Sequence, residues 1–437
     1  VKYRGFTMLE ALFRLKEHNT TARRELVAGF TTFLTMAYII FVNPNMLASA
    51  GMDQGAVFVA TCLAAALGCF IMGFFANYPI ALAPGMGLNA FFTYTVVGQL
   101  GYSWQVALGA VFLSGCCFFL LSAFRIREWI IHSIPHSLRV GIAAGIGLFL
   151  GFIALKNAGF IADNPATFVT LGNVHASSVL LAAMGFIMII ALTHRQVPGA
   201  VMLSILVITL LSIIIGETEY QGIVALPPSI MPTLLELNIR DALDVGLLSI
   251  IFAFVFVDLF DTSGTLIAVA QKGELLDEKG RLPRLGSALM ADSSATMAGA
   301  MLGTSTTTSY IESIAGISAG GRTGLTAVVV GVLFLASLFF SPLVNTVPAY
   351  ATAPALFFVA VLMTGGLAHI DWQDITEAAP VTIAALTMPL TFSISNGIAL
   401  GFISYAVVKL CSGHWRTMSP AMLVLSGLFV IKLVLFN

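Results

Sequence analysis

Apolar runs long enough to cross a bilayer recur along the whole chain, and they constrain its fold more than any other feature. A hydrocarbon core about 30 Å thick asks for roughly 17–25 mostly apolar residues per helical crossing. Such runs fall near 26–43, 56–76, 103–125, 138–156, 178–193, 197–216, 244–269, 284–303, 323–340, 349–365, 377–393, 395–411 and 418–436. Two further stretches, 78–98 and 304–320, are apolar but irregular, which gives 13 to 15 crossings. Only 9% of the 437 residues are charged, against about 25% in soluble proteins. So few charges cannot cover a soluble surface of this size. A cytosolic enzyme, a nucleic-acid binder and a disordered scaffold are excluded, and the lipid bilayer is the expected surround. The 20 Lys and Arg nearly balance the 21 Asp and Glu, so no strongly charged partner is implied.

The basic residues suggest an orientation. Residues 1–25 carry Lys2, Arg4, Arg14, Lys16, Arg23 and Arg24 and read as a cytoplasmic or interfacial segment without a signal peptide. Within it, 6–18 has the pattern of a short amphipathic helix on the membrane surface. Counting 78–98 as one crossing puts Arg125, Arg127, Arg139, Arg195, Lys272, Lys279, Arg281 and Arg284 inside, and Arg322 too if 304–320 crosses. The outside loops then hold only Lys156 and Arg240. One loop breaks the pattern: 366–376 should be inside yet carries Asp371 and Asp374. Cys62, Cys69, Cys116, Cys117 and Cys411 all lie in apolar runs without metal or disulfide spacing, so neither metal nor cofactor is expected.

The punctuation hints at an internal repeat. Each irregular stretch follows a two-helix unit. Ile134-Pro135 introduces the run at 138–156 as Val347-Pro348 introduces 349–365. Each half ends in a helix pair with a break, at Pro198 and around Asn396-Gly397. Seven crossings per half is an odd number, so the second half would run inverted to the first, an arrangement found in transporters.

Residues 78–92 read YPIALAPGMGLNAFF. Pro79, Pro84, Gly85 and Gly87 do not fit one unbroken helix. Irregular backbone at membrane depth must be buried in protein or line a wet cavity. Asn89 follows the break, either as a cap of the next half-helix or as a donor and acceptor for a ligand. Residues 303–312 read GTSTTTSYIE, whose Thr and Ser favour an extended segment. Ser309-x-x-Glu312 also fits a capping box.

Asp258, Asp261 and Glu312 stand out as intramembrane acids, which are functional candidates by default. The i, i+3 spacing of Asp258 and Asp261 puts both on one helix face. Such carboxyls can hold a proton, bind a cation such as sodium, or accept N–H bonds from a substrate; structural hydrogen bonding is the plain alternative. An anionic substrate is disfavoured. Phe33, Tyr38, Phe91, Phe92 and Phe260 include candidates for stacking on a flat ring. Gly316-Ile317-Ser318-Ala319-Gly320 matches G-x-S-x-G but lacks the preceding strand and nearby base of a hydrolase.

The segments FTTFLTMAYIIFVNP (30–44), ALAPGMGLNAFF (81–92), LFDTSGTL (259–266) and TSTTTSYIESIAGISAGGRTGLTAVVVG (304–331) resemble the AzgA-type purine permeases of the nucleobase/ascorbate transporter superfamily. Bacterial adenine permeases are the nearest subgroup, then the hypoxanthine/guanine branch. The resemblance spans nearly the whole chain. It implies an all-α polytopic membrane protein of 14 transmembrane segments in two inverted seven-segment repeats. Short strands would lie in broken segments 3 and 10. The first repeat would cover 26–230, with core (transport) spans in 26–125 and gate (scaffold) spans in 136–216. The second would cover 241–437, with core spans in 244–340 and gate spans in 344–436. The implied activity is purine import (adenine, guanine, hypoxanthine) by proton symport, with elevator-like alternating access in a homodimer. The implied location is the bacterial inner membrane, with both termini cytoplasmic. Carried over by motif, the family's functional residues fall on Asn89, on the pair Asp258 and Asp261, and on Glu312. On that basis Glu312 and Asp258 are expected to bind the base, with N–H groups near Asn89 and beyond Ser309 and a ring of Phe33, Phe91 or Phe260, and Asp258, Glu312 and Asp261 to couple the proton. Sodium coupling, another substrate (a pyrimidine, ascorbate or an anion), a channel and an intramembrane enzyme are the competing readings.

Overall fold

Helices occupy the apolar runs and end where polar caps, prolines and left-handed residues interrupt the pattern. The computed structural model describes residues 2–124, 134–277, 282–414 and 418–435. Arg125, Arg127, Lys279 and Arg281, assigned above to inside loops, lie outside the described residues, as does position 436 of the last apolar run. Among the described residues, nine helical stretches are long and apolar enough to cross a membrane, and three apolar helices are shorter. The chain is a helical polytopic membrane protein.

α1 (Lys2–Phe13) stops before a left-handed Arg14 (φ 53°), so the surface helix expected over 6–18 ends early. The first apolar run is split into α2 (Ala22–Met36) and α3 (Ile39–Ala48). Thr21 caps α2, and Pro44 inside α3 has no N–H to continue the ladder. α4 (Gln54–Ile71) begins on an Asp53 cap, runs into a π turn (Met72–Ala76) and stops at left-handed Asn77 (φ 52°). β1 (Leu82–Pro84), α5 (Met86–Ala90) and a π-helix (Phe91–Gln99) fill the first irregular stretch. α6 (Trp104–Ala123) and α7 (His136–Asn157) follow. An exposed hairpin, β2 (Ile161–Asn164) and β3 (Phe168–Leu171), then adds strands that the apolar pattern did not announce. A local turn makes it: Asn164 Oδ1 accepts the N–H groups of Ala166 (2.8 Å) and Thr167 (3.2 Å), and Phe168 is left-handed. α8 (Ser177–His194) and α9 (Ala200–Ile214) complete the first half.

The second half opens with α10 (Ile239–Ala242), α11 (Val245–Lys272) and α12 (Leu285–Leu302). β4 (Thr307–Ser309) and α13 (Ser313–Ser318) fill the second irregular stretch. α14 (Gly324–Ser337), α15 (Ser341–Thr346), α16 (Ala349–Thr364), α17 (Ile375–Leu390), α18 (Ile394–Cys411) and α19 (Pro420–Leu435) complete the chain. The halves interleave. α12 packs on α4 and α6, and α14 on α2 and α4. α7 packs on α16, α17 and α18, while α16 packs in turn on α7, α8 and α9.

Two details revise the charge and span patterns. Lys409 in α18 is 5% exposed, and its Nζ lies 2.6 Å from Glu377 Oε1 and 3.9 Å from Asp374 Oδ2. It also donates to Thr376 Oγ1 (2.7 Å), while the Ser137 and Tyr405 hydroxyls donate to Glu377. Asp374, at the end of 366–376, therefore faces a cation supplied by α18. α19 runs back antiparallel along α18: Ser426 Oγ donates to the Phe402 carbonyl (3.0 Å) and Lys432 Nζ to Ser395 Oγ.

Candidate functional site

β1 and β4 meet between the two halves. They pair antiparallel in the register Leu82↔Ser309, Ala83↔Thr308 and Pro84↔Thr307. Tyr310 N–H donates to Ala81 O (3.0 Å) and Gly85 N–H to Thr306 O (2.9 Å). Non-helical backbone in this setting needs an internal partner, and each strand supplies the other's. The Tyr310 hydroxyl closes the crossing on Pro84 O at 2.6 Å. A Cβ on Gly85 would collide with Thr308 Cγ2 and lie 3.5 Å from Asp261 Oδ2. Glycine is thus required for the close approach, and the Asp261 carboxylate sits beside it.

Four carboxylates gather here, and exposure separates them. Asp258 is 2% exposed and Asp292, on α12, is fully buried. Both converge on Thr262: its Oγ1 lies 3.1 Å from Asp258 Oδ1 and 3.1 and 3.3 Å from the two oxygens of Asp292. Thr308 Oγ1 approaches the same hydroxyl at 2.8 Å. Asp261 and Glu312 are only half-buried, and they are close enough to repel one another. Neither enters an ion pair among the described residues.

The capping box expected at Ser309-x-x-Glu312 does not form. Glu312 occupies the N-cap position of α13 without a side-chain cap bond. Its Oε1 instead accepts the Tyr38 hydroxyl at 2.5 Å, and Ser309 Oγ turns to the Thr262 carbonyl (3.5 Å). A distant phenol holds the carboxyl, which also accepts its own backbone N–H. Asn89 does not cap α5 either. Its Nδ2 donates to Asn43 Oδ1 (2.6 Å), and its Oδ1 accepts from Ser305 Oγ. Asn43 Nδ2 contacts Thr61 Oγ1 (2.7 Å) and Thr304 Oγ1 (2.9 Å). This buried network ties α5 to α3, α4 and the bend before β4.

The three candidate stacking rings enter separate contacts. Phe33, half-buried, meets Phe334 edge-on at 5.3 Å. Phe91, 1% exposed, meets Phe254 edge-on at 4.9 Å. Phe260 lies near Phe256 and Phe402, at 6.1 and 6.3 Å, and joins α11 to α18. Among the described residues no cluster of three His, Cys, Asp or Glu is arranged to hold a metal ion.

Sequence reasoning missed two buried acids. Asp292 lies mid-way along an 18-residue helix, so the rule that singled out Asp258 applied to it equally. Glu25 was grouped with the charged N-terminal segment. It is fully buried and accepts from Arg322 N–H (2.9 Å), Thr323 N–H (3.3 Å) and Thr326 Oγ1 (2.6 Å) at the start of α14. No signal in the sequence marked that tertiary cap.

Interleaved hydrophobic halves whose short strands cross beside accessible carboxylates define a membrane permease. The chain belongs to the Permease family, matched over residues 23–400, and within it to the purine nucleobase permeases. It is 53% identical over 433 residues to the adenine permease AdeP of Escherichia coli (strain K12), covering 99% of this chain and 97% of that protein. It is 45% identical to the guanine/hypoxanthine permease PbuG of Bacillus subtilis (strain 168), covering 98% and 99%. These relatives are named as permeases, not enzymes. The fold resembles the transmembrane domain of the cyanobacterial bicarbonate transporter BicA, with TM-score 0.65, 15% identity, and 86% of this chain and 96% of that one covered. It also resembles the murine anion transporter Slc26a9, with TM-score 0.66, 10% identity and coverage of 89% and 68%. At these identities the likeness concerns the fold alone.

Proposed function

We propose that the protein imports purine bases (adenine, guanine or hypoxanthine) across the bacterial inner membrane by proton symport. One observation carries this reading: Asp261 and Glu312, half-buried and outside any ion pair among the described residues, flank the β1–β4 crossing of a chain 53% identical to an adenine permease over 99% of its length. Carboxylates accept the ring and exocyclic N–H groups that purines present. In this reading Glu312 and Asp261 contact the base. Asp258, more deeply buried, acts from behind through Thr262 together with Asp292. Asn89 and Ser309 hold the strand–helix breaks in shape, and Phe33, Phe91 and Phe260 support the walls. A proton on one acid permits inward movement, and its release inside weakens binding.

The movement is elevator-like. A core of α2–α6 and α11–α15 shifts against a gate of α7–α9 and α16–α18, and gates pair in a homodimer. Two inverted repeats of seven crossings account for everything up to α18. The N-terminal segment is cytoplasmic, as its basic residues imply. The C-terminus is assigned to the cytoplasmic face as well; α19, one of the shorter apolar helices, lies antiparallel along α18.

Proteoliposome uptake of labelled adenine tests the reading, with guanine, hypoxanthine and uracil as competitors, with and without a proton gradient or sodium. Accumulation driven by the proton gradient and blocked by purines is expected. Inhibition by uracil alone, or accumulation that survives collapse of the gradient, would overturn it.

A further inference from the structure

We propose that Tyr38 is a positioning residue for Glu312, holding one carboxylate oxygen so that the other stays directed at the substrate. This rests on the purine-permease reading above. Tyr38 lies at the junction of α2 and α3, and its ring is 1% exposed, so the ring is packed rather than offered for stacking. A buried phenol needs a partner for its hydroxyl. It finds Glu312 Oε1 at 2.5 Å, while Thr35 Oγ1 reaches the Glu312 carbonyl at 3.5 Å. The α2–α3 junction therefore grips residue 312 by both side chain and backbone.

Besides the backbone N–H of Glu312 itself, which also bonds the carboxyl, the groups near Glu312 leave this task to Tyr38. The Tyr310 hydroxyl is committed to Pro84 O. Asp261, from α11, can only repel an ionised Glu312. Asp258, on the same helix, is engaged with Thr262. Glu25 on α2 is occupied at the start of α14. With Oε1 held, Oε2 keeps a fixed direction, and the carboxylate does not have to be reoriented when a base arrives. Because Tyr38 stands at a helix break, any shift of α3 relative to α2 changes this grip.

The experiment is a double-mutant cycle on the purified, full-length protein. Equilibrium binding of labelled adenine is measured up to millimolar concentration for wild type, Tyr38→Phe, Glu312→Gln and the double variant. Ordering one side chain only when the ligand arrives costs roughly two- to tenfold in affinity. Tyr38→Phe should therefore weaken binding by up to about tenfold and add nothing in the Glu312→Gln background. The alkaline limb of the uptake–pH profile should also move to higher pH in Tyr38→Phe, since the lost donor favours the ionised carboxylate. Wild-type binding by Tyr38→Phe, an equal loss in both backgrounds, or an unmoved pH profile each overturns the proposal. Those outcomes leave the purine reading standing, whereas a wild-type protein that binds no purine refutes that reading itself.

Discussion

Gly85→Ala is the sharpest test of the strand crossing. The new Cβ would overlap Thr308 Cγ2 and approach Thr308 Cβ to 3.4 Å. Thr308 cannot simply rotate its methyl aside, because its hydroxyl is held by Thr262 at 2.8 Å. Nor can the strands part freely, because Gly85 N–H and Tyr310 N–H bond across them. Overpacking of a fixed site costs typically about 1–3 kcal/mol, or roughly 5- to 150-fold in an equilibrium. Thr308→Ser keeps the hydroxyl and deletes the methyl, at about 0.8 kcal/mol for the lost burial. The double variant should therefore recover most of the Gly85→Ala loss, with a coupling of at least about 1 kcal/mol. The assay is the apparent Tm in detergent at one scan rate, with the KM for adenine as a second readout because Asp261 lies beside the clash. If Gly85→Ala matches wild type, or loses as much stability in the Thr308→Ser background as alone, the close-approach argument is wrong.

Glu312→Gln should abolish concentrative uptake; a variant that still accumulates adenine against a gradient removes Glu312 from the coupling. Lys409→Met should lower the detergent Tm strongly, since stripping one partner from a buried ion pair costs about 3–5 kcal/mol, here toward the lower end because Glu377 is partly exposed. Lys409→Met with Glu377→Met should restore most of it, and a further drop would contradict the pairing. Hydrogen bonds from the Thr376 hydroxyl and N–H hold the exposed Asp374 carboxyl below its ordinary range. Its contribution is present above the unfolded value of about 3.9 and is lost as pH falls through the lower folded one. Asp374→Asn should flatten the acid limb of the Tm–pH curve; an unchanged limb would refute the assignment.

The local chemistry of backbone interruption was readable without coordinates. Pro79, Pro84, Gly85 and Gly87 marked one broken element, and the Thr/Ser run at 304–309 marked the other, because these residues disfavour helix whatever surrounds them. The pairing of the two strands was not readable, since Ala83 and Thr308 are joined only in space. Tertiary partners also defeated local motifs: the Ser309–Glu312 box lost to Tyr38, and Asn89 turned from α5 to Asn43. Asp292 was legible as an acid inside an apolar run and was passed over; only its link to Asp258 through Thr262 needed the fold. Exposure, which divides Asp261 and Glu312 from Asp258 and Asp292, depends on packing and leaves no trace in composition.

The Lys409–Glu377 contact bears on how the chain enters the membrane. Glu377 stands in the first turn of α17 and Lys409 in the last turn of α18. Each alone would burden an apolar helix with a charge that lipid disfavours. Folded together as a hairpin, they neutralise each other at one end. During synthesis the glutamate emerges first and must wait for its cation. Insertion of this region is therefore a joint event of two helices, and removing either charge should leave the other helix dependent on the translocation machinery for longer.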